Sequence, residues 1–285
     1  MVISFRRFCA WAVLILLSCC ILSGGVQPVW QEKAEEGIKL PILMYHHVRK
    51  DSSAWGKFVI SPQEFEEDLK FLKENGYQTI GAEDLVKYAE GTENLPQKPI
   101  MITVDDGYLS AKEYMAPLLG KYQMKAVLSV IGKYSDDYSR TPDRNVAYAH
   151  LTWTDISELS ASGVFEIQNH TYDMHKNGSG RRGSTKRNGE SEESYRHALT
   201  DDLEKTRQKI EESTGIRPIC FTYPYGFISK EAAEPIREMG YRVTLTCNEG
   251  ISLVARRSES LLNLKRCNRP HGTSAEKILL KFYEP

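Results

Sequence analysis

The sequence predicts an α/β fold, a distorted (β/α) barrel of about seven parallel strands in a single domain behind an N-terminal leader. Three observations predict it. From Ile38 onward, short apolar runs alternate with amphipathic helical stretches, which implies βα units around a parallel sheet. The runs number seven or eight, which suits closure better than an open sheet. The residues that carry chemistry fall directly after apolar runs, where barrels of this kind collect function.

The elements follow in order. Residues 1–25 read as a signal peptide or membrane anchor: Arg6 and Arg7 precede the uncharged stretch Phe8 to Leu22, and the small residues Ser23-Gly24-Gly25 come after it. The uncharged span runs on to Trp30, and about 20 apolar residues cross a bilayer, so an uncleaved anchor is the alternative to a cut leader. Leu16-Leu17-Ser18-Cys19 loosely resembles a lipoprotein box, although Cys20-Ile21-Leu22 after it is unusually apolar. The positive flank precedes the apolar run, which predicts an extracytoplasmic domain, secreted or held on the outer face of the membrane. Residues 26–37 form a polar tether and residues 38–285 the folded domain.

Within that domain, Leu40 to Tyr45 is the first expected strand. Ser61-Pro62-Gln63-Glu64 is a helix start, with Ser as N-cap, Pro in the first turn and Glu three residues on. Phe65, Leu69 and Leu72 keep helical spacing until Asn75-Gly76. Further strands are expected at 78–80, 100–104, 126–130, 165–168, 220–222, 242–245 and 263–266. Helices are expected at 82–88, 111–121, 155–162, 195–213, 230–239 and 274–281. Lys176 to Glu193, rich in Gly, Ser and basic residues, lacks apolar periodicity. It is a solvated loop or, since it starts just after His175, a lid over a glycan.

Composition sets outer limits. The chain has 285 residues, 41% hydrophobic and 26% charged, which excludes extended disorder. Lys+Arg is 37 against 38 Asp+Glu, so no basic excess points to a nucleic-acid partner. Three of six cysteines (Cys9, Cys19, Cys20) fall in the leader; Cys220, Cys247 and Cys267, an odd set at wide spacing, are not a disulfide framework. No C-x-x-C pair offers a thiolate zinc site. The domain is expected to be monomeric.

Four strand ends carry the chemistry. Thr103-Val104-Asp105-Asp106-Gly107-Tyr108 places two carboxylates side by side. Neighbours on a regular strand point to opposite faces, so both serve one site only if the strand ends and turns there. The alternative is a turn whose Asp residues cap the next helix. Asn169-His170-Thr171-Tyr172-Asp173-Met174-His175 holds two His five apart, a spacing that does not share a helix face. Two imidazoles and a carboxylate at strand ends suit a catalytic metal site with an open position; they favour zinc, with cobalt, nickel and iron as competitors. Phe221-Thr222-Tyr223-Pro224-Tyr225-Gly226 is a core turn or a rim offering N–H groups and ring faces to a sugar. In Leu43-Met44-Tyr45-His46-His47-Val48, His46 shares a face with Met44, and His47 with Tyr45. His150 and His197 read as structural or exposed.

Together these motifs, T-V-D-D-G-Y, N-H-T-Y-D-M-H and Y-P-Y-G in this order over about Leu40 to Arg269, resemble the NodB-type polysaccharide deacetylases, carbohydrate esterase family four. The early Y-H-H resembles the branch acting on poly-N-acetylglucosamine. The resemblance implies a seven-stranded distorted barrel. It implies a divalent metal on Asp106, His170 and His175, and Asp105 as general base toward a metal-bound water that attacks the acetamide. It also implies an oxyanion contact from the Tyr225 N–H, with Pro224 and Tyr223 in the same turn. The implied substrate is an acetylated glycan: peptidoglycan, poly-N-acetylglucosamine or a chitin-like polymer. Tyr108, Tyr172, Tyr225 and the Lys176–Glu193 loop are possible glycan contacts. Two departures stand out. The family's third motif begins with an Arg that orients the base, and F-T-Y-P-Y-G has none. The late catalytic His is not clear; His46 takes that place as general acid, ahead of His47 and of His271 in Arg269-Pro270-His271-Gly272. The competing functions are an O-acetyl esterase on xylan-type polymers, a non-catalytic glycan-binding module that would have lost a ligand or the base, and a metal-independent glycosidase that would leave both His without a role.

Overall fold

The alternation of apolar runs and helical stretches folds into one curled parallel sheet with helices packed outside it. The computed structural model describes residues 37–178 and 180–283. The leader and most of the tether lie outside the described residues. In chain order the strands are β1 (Ile38–Leu40), β2 (Ile42–Tyr45), β3 (His47–Val48), β4 (Val59–Ile60), β5 (Gln78–Thr79), β6 (Pro99–Val104), β7 (Ala126–Val130), β8 (Phe165–Asn169), β9 (Asn177–Gly178), β10 (Arg181–Arg182), β11 (Cys220–Thr222), β12 (Val243–Leu245), β13 (Ser252–Val254) and β14 (Cys267–Asn268). The helices are α1 (Pro62–Glu74), α2 (Ala82–Ala89), α3 (Ala116–Tyr122), α4 (Gly132–Arg140), α5 (Trp153–Ala161), α6 (Glu192–Thr214), α7 (Ala233–Glu238) and α8 (Ala275–Tyr283).

The main sheet runs β12-β11-β8-β7-β6-β2-β14, all parallel, with β5 paired to the start of β6. A single parallel bridge from Leu245 to Leu264 ties β12 to the segment that leads into β14 and brings the curl round. Seven strands therefore form the ring. The strand expected at 263–266 is displaced. Asn263 takes a left-handed φ of 56°, so the chain pairs at Leu264 and again only at 267–268.

Local signals account for most elements. The Ser61 hydroxyl accepts the Glu64 N–H (3.1 Å), while the Glu64 carboxylate accepts the Ser61 N–H (2.9 Å). Such a cap contributes about 1 kcal/mol. Phe65, Leu69 and Leu72 of α1 are fully buried against the sheet, each contributing about 1.5–3 kcal/mol. Strands β2, β6 and β7 are buried throughout, as expected of parallel strands covered on both faces. Other elements lack a sequence signal. Helix α4, Gly-Lys-Tyr-Ser-Asp-Asp-Tyr-Ser-Arg, has no capping side chain; its first N–H groups bond to the carbonyls of Thr171 and Tyr172 (both 3.0 Å). The antiparallel pair β1–β13 joins segments more than 200 residues apart.

The Lys176–Glu193 segment contains the short hairpin β9–β10. Arg181 is buried and pairs with Glu190 (2.6 Å). Cys220, Cys247 and Cys267 are free thiols. Among the described residues no helix is long and apolar enough to cross a membrane.

Candidate active site and metal centre

The strand-end residues converge on one cavity of about 460 Å³, lined among others by Met44, His46, Asp105, Asp106, His170 and His175. Strand β6 ends at Val104, and Asp106 and Gly107 both take left-handed φ values of 73°. Asp is among the few side chains that tolerate this region. A side chain at Gly107 would also crowd Val130 (3.2 Å). This turn is what brings two adjacent carboxylates to one site.

Strand β8 ends at Asn169, and His170 follows with its N–H bonded to the Val130 carbonyl (3.0 Å). Its ring Nδ1 lies 2.8 Å from the Thr222 carbonyl and donates to it, which leaves Nε2 as a lone pair. That Nε2 lies 3.5 Å from Asp106 Oδ1, and His175 Nε2 lies 3.4 Å from the same oxygen. The ligand atoms of Asp106, His170 and His175 all fall within 4.8 Å of one another. Asp106 Oδ1 is buried and has no hydrogen-bond partner. An orphaned buried carboxylate oxygen between two imidazole nitrogens fits a divalent cation, and a Asp-His-His set suits zinc.

The electrostatics follow the burial. Burial pushes the Asp106 carboxyl upward, but the close His170 imidazole, with those of His46 and His175, outweighs it and holds it well below the carboxylate range. His170 is lowered by burial and raised by the two aspartates, ending above its ordinary value. His175 drops to about 4 through burial and the neighbouring His170.

Asp105 is anchored by a residue that sequence reasoning missed. Arg266 is fully buried and grips it with two parallel bonds, Nη1 to Oδ1 (2.8 Å) and Nη2 to Oδ2 (2.7 Å). The guanidinium is itself held by the Thr246 carbonyl (2.7 Å) and the Thr103 hydroxyl (3.1 Å). Burial raises the Asp105 carboxyl, and the Arg266 charge more than reverses this, so it stays ionised. An arginine absent from F-T-Y-P-Y-G thus reaches Asp105 from the segment that leads into β14. Its signal is faint: Arg266 is the last residue of an expected strand, one position short of where the strand-end motifs begin.

The three histidine candidates separate cleanly. His46 lies in the cavity, its ring 4.7 Å from Phe58, and its buried Nδ1 has no hydrogen-bond partner. Burial lowers its pKa. His47 also borders the cavity, but its Nδ1 meets Ser110 Oγ (2.7 Å) and its Nε2 the Ala147 carbonyl (3.2 Å). Burial takes it to about 4. His271 lies outside the cavity lining and bonds the Glu64 carboxylate (3.0 Å). His150 is structural but close to the site: its Nδ1 lies 3.0 Å from the Asp106 carbonyl and its ring stacks on Tyr108. His197 is exposed.

The aromatic turn divides. Tyr225 borders the cavity at φ 58°, its ring 4.6 Å from that of His175. Tyr223 corrects the expectation of a rim residue: the residue is 2% exposed and its ring packs on Phe221 (4.8 Å) in the core. Pro224 is buried beneath the turn and does not line the cavity. The turn needs an apolar foot to hold Tyr225 outward, and these two residues form it. Tyr108 lines the cavity; Tyr172 does not, its hydroxyl being bonded to Asp136 (2.7 Å).

Comparison with known proteins agrees with this geometry. Residues 92–244 match the polysaccharide deacetylase family model. The chain belongs to the polysaccharide deacetylase family. YxkH of Bacillus subtilis (strain 168), whose name places it among polysaccharide deacetylases, is 27% identical over 85% of this chain and 75% of its own length. The poly-beta-1,6-N-acetyl-D-glucosamine N-deacetylase of Escherichia coli (strain K12) is 25% identical over 74% of this chain, which spans only 34% of that protein. Among solved structures, the deacetylase PplD of Streptococcus pyogenes, in complex with acetate, shares the fold: TM-score 0.69, 23% identity, 87% of this chain and 100% of that one. IcaB from Ammonifex degensii gives a TM-score of 0.67 at 25% identity, over 82% of this chain and 94% of that one. The chain is thus an enzyme of the polysaccharide deacetylase kind on the curled seven-stranded α/β sheet described above.

Proposed function

We propose that this enzyme is an extracytoplasmic, metal-dependent deacetylase that removes N-acetyl groups from an N-acetylglucosamine-containing glycan. One observation carries the reading. A buried carboxylate kept ionised by Arg266 stands in the same cavity as a three-residue cation site and a histidine with an unpartnered ring nitrogen.

Asp106, His170 and His175 would hold the cation, zinc by the chemistry of the set. When bound, it supplies Lewis-acid polarisation of the amide carbonyl and lowers the pKa of water. Asp105 is placed to take a proton from the attacking water, and Arg266 fixes its orientation and keeps it ionised. His46 is the group that delivers a proton to the departing amine, because both ring nitrogens of His47 are engaged and His271 faces away on Glu64. The turn at Tyr225 faces the developing oxyanion. The name of the Escherichia coli relative supports a poly-N-acetylglucosamine substrate, with peptidoglycan and chitin-like polymers as neighbours in chemistry. The leader motif supports export, as a secreted or membrane-anchored protein.

Acetate release from N-acetylglucosamine oligomers tests the reading, with metal-stripped protein lacking the leader and then with zinc or cobalt restored. Release that returns with metal supports it. Release from acetyl-xylan but not from the oligomers would replace it with the O-acetyl esterase, and release unaffected by stripping would remove the metal from it. Location is tested separately, by protease accessibility of the domain on intact cells.

A further inference from the structure

The two histidines of the cation site differ in how they are held. His170 follows directly on β8 and inherits its place from the sheet. His175 comes five residues later, in a loop with no helix or strand of its own. Its position must come from whatever fixes the backbone between the two.

That backbone is tied at every turn. The Asn169 side chain accepts the Thr171 N–H (2.8 Å), which holds Thr171 at a left-handed φ of 75°. The carbonyls of Thr171 and Tyr172 accept the first two N–H groups of α4. The next two N–H groups, of Tyr172 and Asp173, both go to one side chain, Asp202 of α6: Oδ1 accepts the first (2.7 Å) and Oδ2 the second (2.8 Å). Helix α6 is in turn fixed to β8, since Asn169 donates to the Leu203 carbonyl (2.9 Å). Burial lifts the Asp202 carboxyl to about 6, so a carboxylate is retained there against the cost of burying it.

We propose that Asp202 is the positioning residue of the cation site: by holding two successive N–H groups midway between His170 and His175, it sets His175 in its ligating place before any metal arrives. This deepens the metal-dependent reading above and rests on it. Asp202 touches neither metal nor substrate; it acts through the loop. Charge-assisted bonds to backbone N–H groups are strong enough for this, and outer partners of metal ligands typically set affinity by about 10–100-fold.

The test is zinc affinity of the full-length protein, by competition with a chelating indicator. Asp202→Asn keeps the volume and one acceptor but leaves one N–H facing an amide donor. It is expected to bind zinc about tenfold more weakly than wild type, and Asp202→Ala more weakly still. The unfolding midpoint of the metal-free Asn variant should stay close to wild type, which separates positioning from a general loss of structure. Equal zinc affinity in wild type and Asp202→Asn would overturn this inference and leave the metal reading standing. A wild type that binds no zinc, cobalt or nickel would overturn both. Should neither variant fold, amide exchange in metal-free wild type decides: Tyr172 and Asp173 amides as protected as those of β8 support the latch, and fast exchange overturns it.

Discussion

Two buried arginines stand three residues apart, on either side of β14, and both grip a carboxylate; one pair builds the site and the other the scaffold. Arg269 bonds Asp68 through Nε (2.6 Å) and also reaches Glu64 (3.0 Å). Asp68 then accepts the Tyr45 hydroxyl (3.0 Å) and the Ala275 N–H (2.8 Å), so both its oxygens are used within the protein. The network ties α1 and the start of α8 to the end of β2. Arg266 grips Asp105 alone, at the edge of a cavity. The ionisation differs in the same sense: burial raises Asp68 above the ordinary range despite Arg269, whereas Arg266 holds Asp105 below it. A buried ion pair by itself says little about function. What distinguishes the Asp105 pair is its place: its carboxylate borders the cavity, whereas Asp68 is enclosed by Arg269, Tyr45 and Ala275.

Substitutions at the two pairs can break this contrast. Asp105→Asn should lower turnover by about 10³-fold, the middle of the range of general-base effects, while zinc affinity stays near wild type; retained turnover would remove Asp105 from the base role. Arg269→Met leaves the buried Asp68 without its cation and should cost about 3–5 kcal/mol in denaturant unfolding, with turnover per folded molecule unchanged. A catalytic defect there without lost stability would erase the distinction. Arg266→Met should lower kcat about 10²-fold and move the acid limb of the kcat/KM profile to higher pH, because burial then raises Asp105 with only the smaller effects of His170 and His46 against it. An unmoved limb would show that Arg266 does not set the ionisation of the base.

The smallest effect concerns the segment that sequence left as loop or lid. Gly183 sits at φ 56°, and a Cβ there would come within 2.8 Å of the Pro224 carbonyl, one residue before Tyr225. Arg182 covers the Phe227 ring (4.0 Å). The segment thus braces the turn from behind. Gly183→Ala should cost about 1–3 kcal/mol of stability and lower kcat with little change in KM. A change confined to KM would favour the glycan-contacting reading instead.

The legible parts of this molecule are those whose signal is local. The capping box at Ser61, the apolar spacing of α1 and the buried runs of β2, β6 and β7 each announce themselves within a few residues. The strand-end motifs are equally local, which is why Asp105, Asp106, His170, His175 and His46 could be named from sequence. Arg266 was overlooked because its partner lies 161 residues away and no spacing rule connects them. Tyr223 was misplaced because Tyr223 and Tyr225 look alike in sequence and differ only in which way the turn faces. Helix α4 was missed because its N-terminal bonds go to the ligand loop, outside its own segment.

The sequence by itself determined the βα alternation, the strand ends where chemistry collects and the residue types able to bind a cation there. Tertiary structure decided which arginine grips Asp105, which histidine is left with an unengaged nitrogen, and which side chain ties the backbone between His170 and His175. The physical reason is range. Helix and strand signals arise from neighbours within a turn or a pleat, whereas convergence of a site depends on register, on left-handed turns at Asp106 and Thr171, and on buried polar groups whose partners come from distant strands.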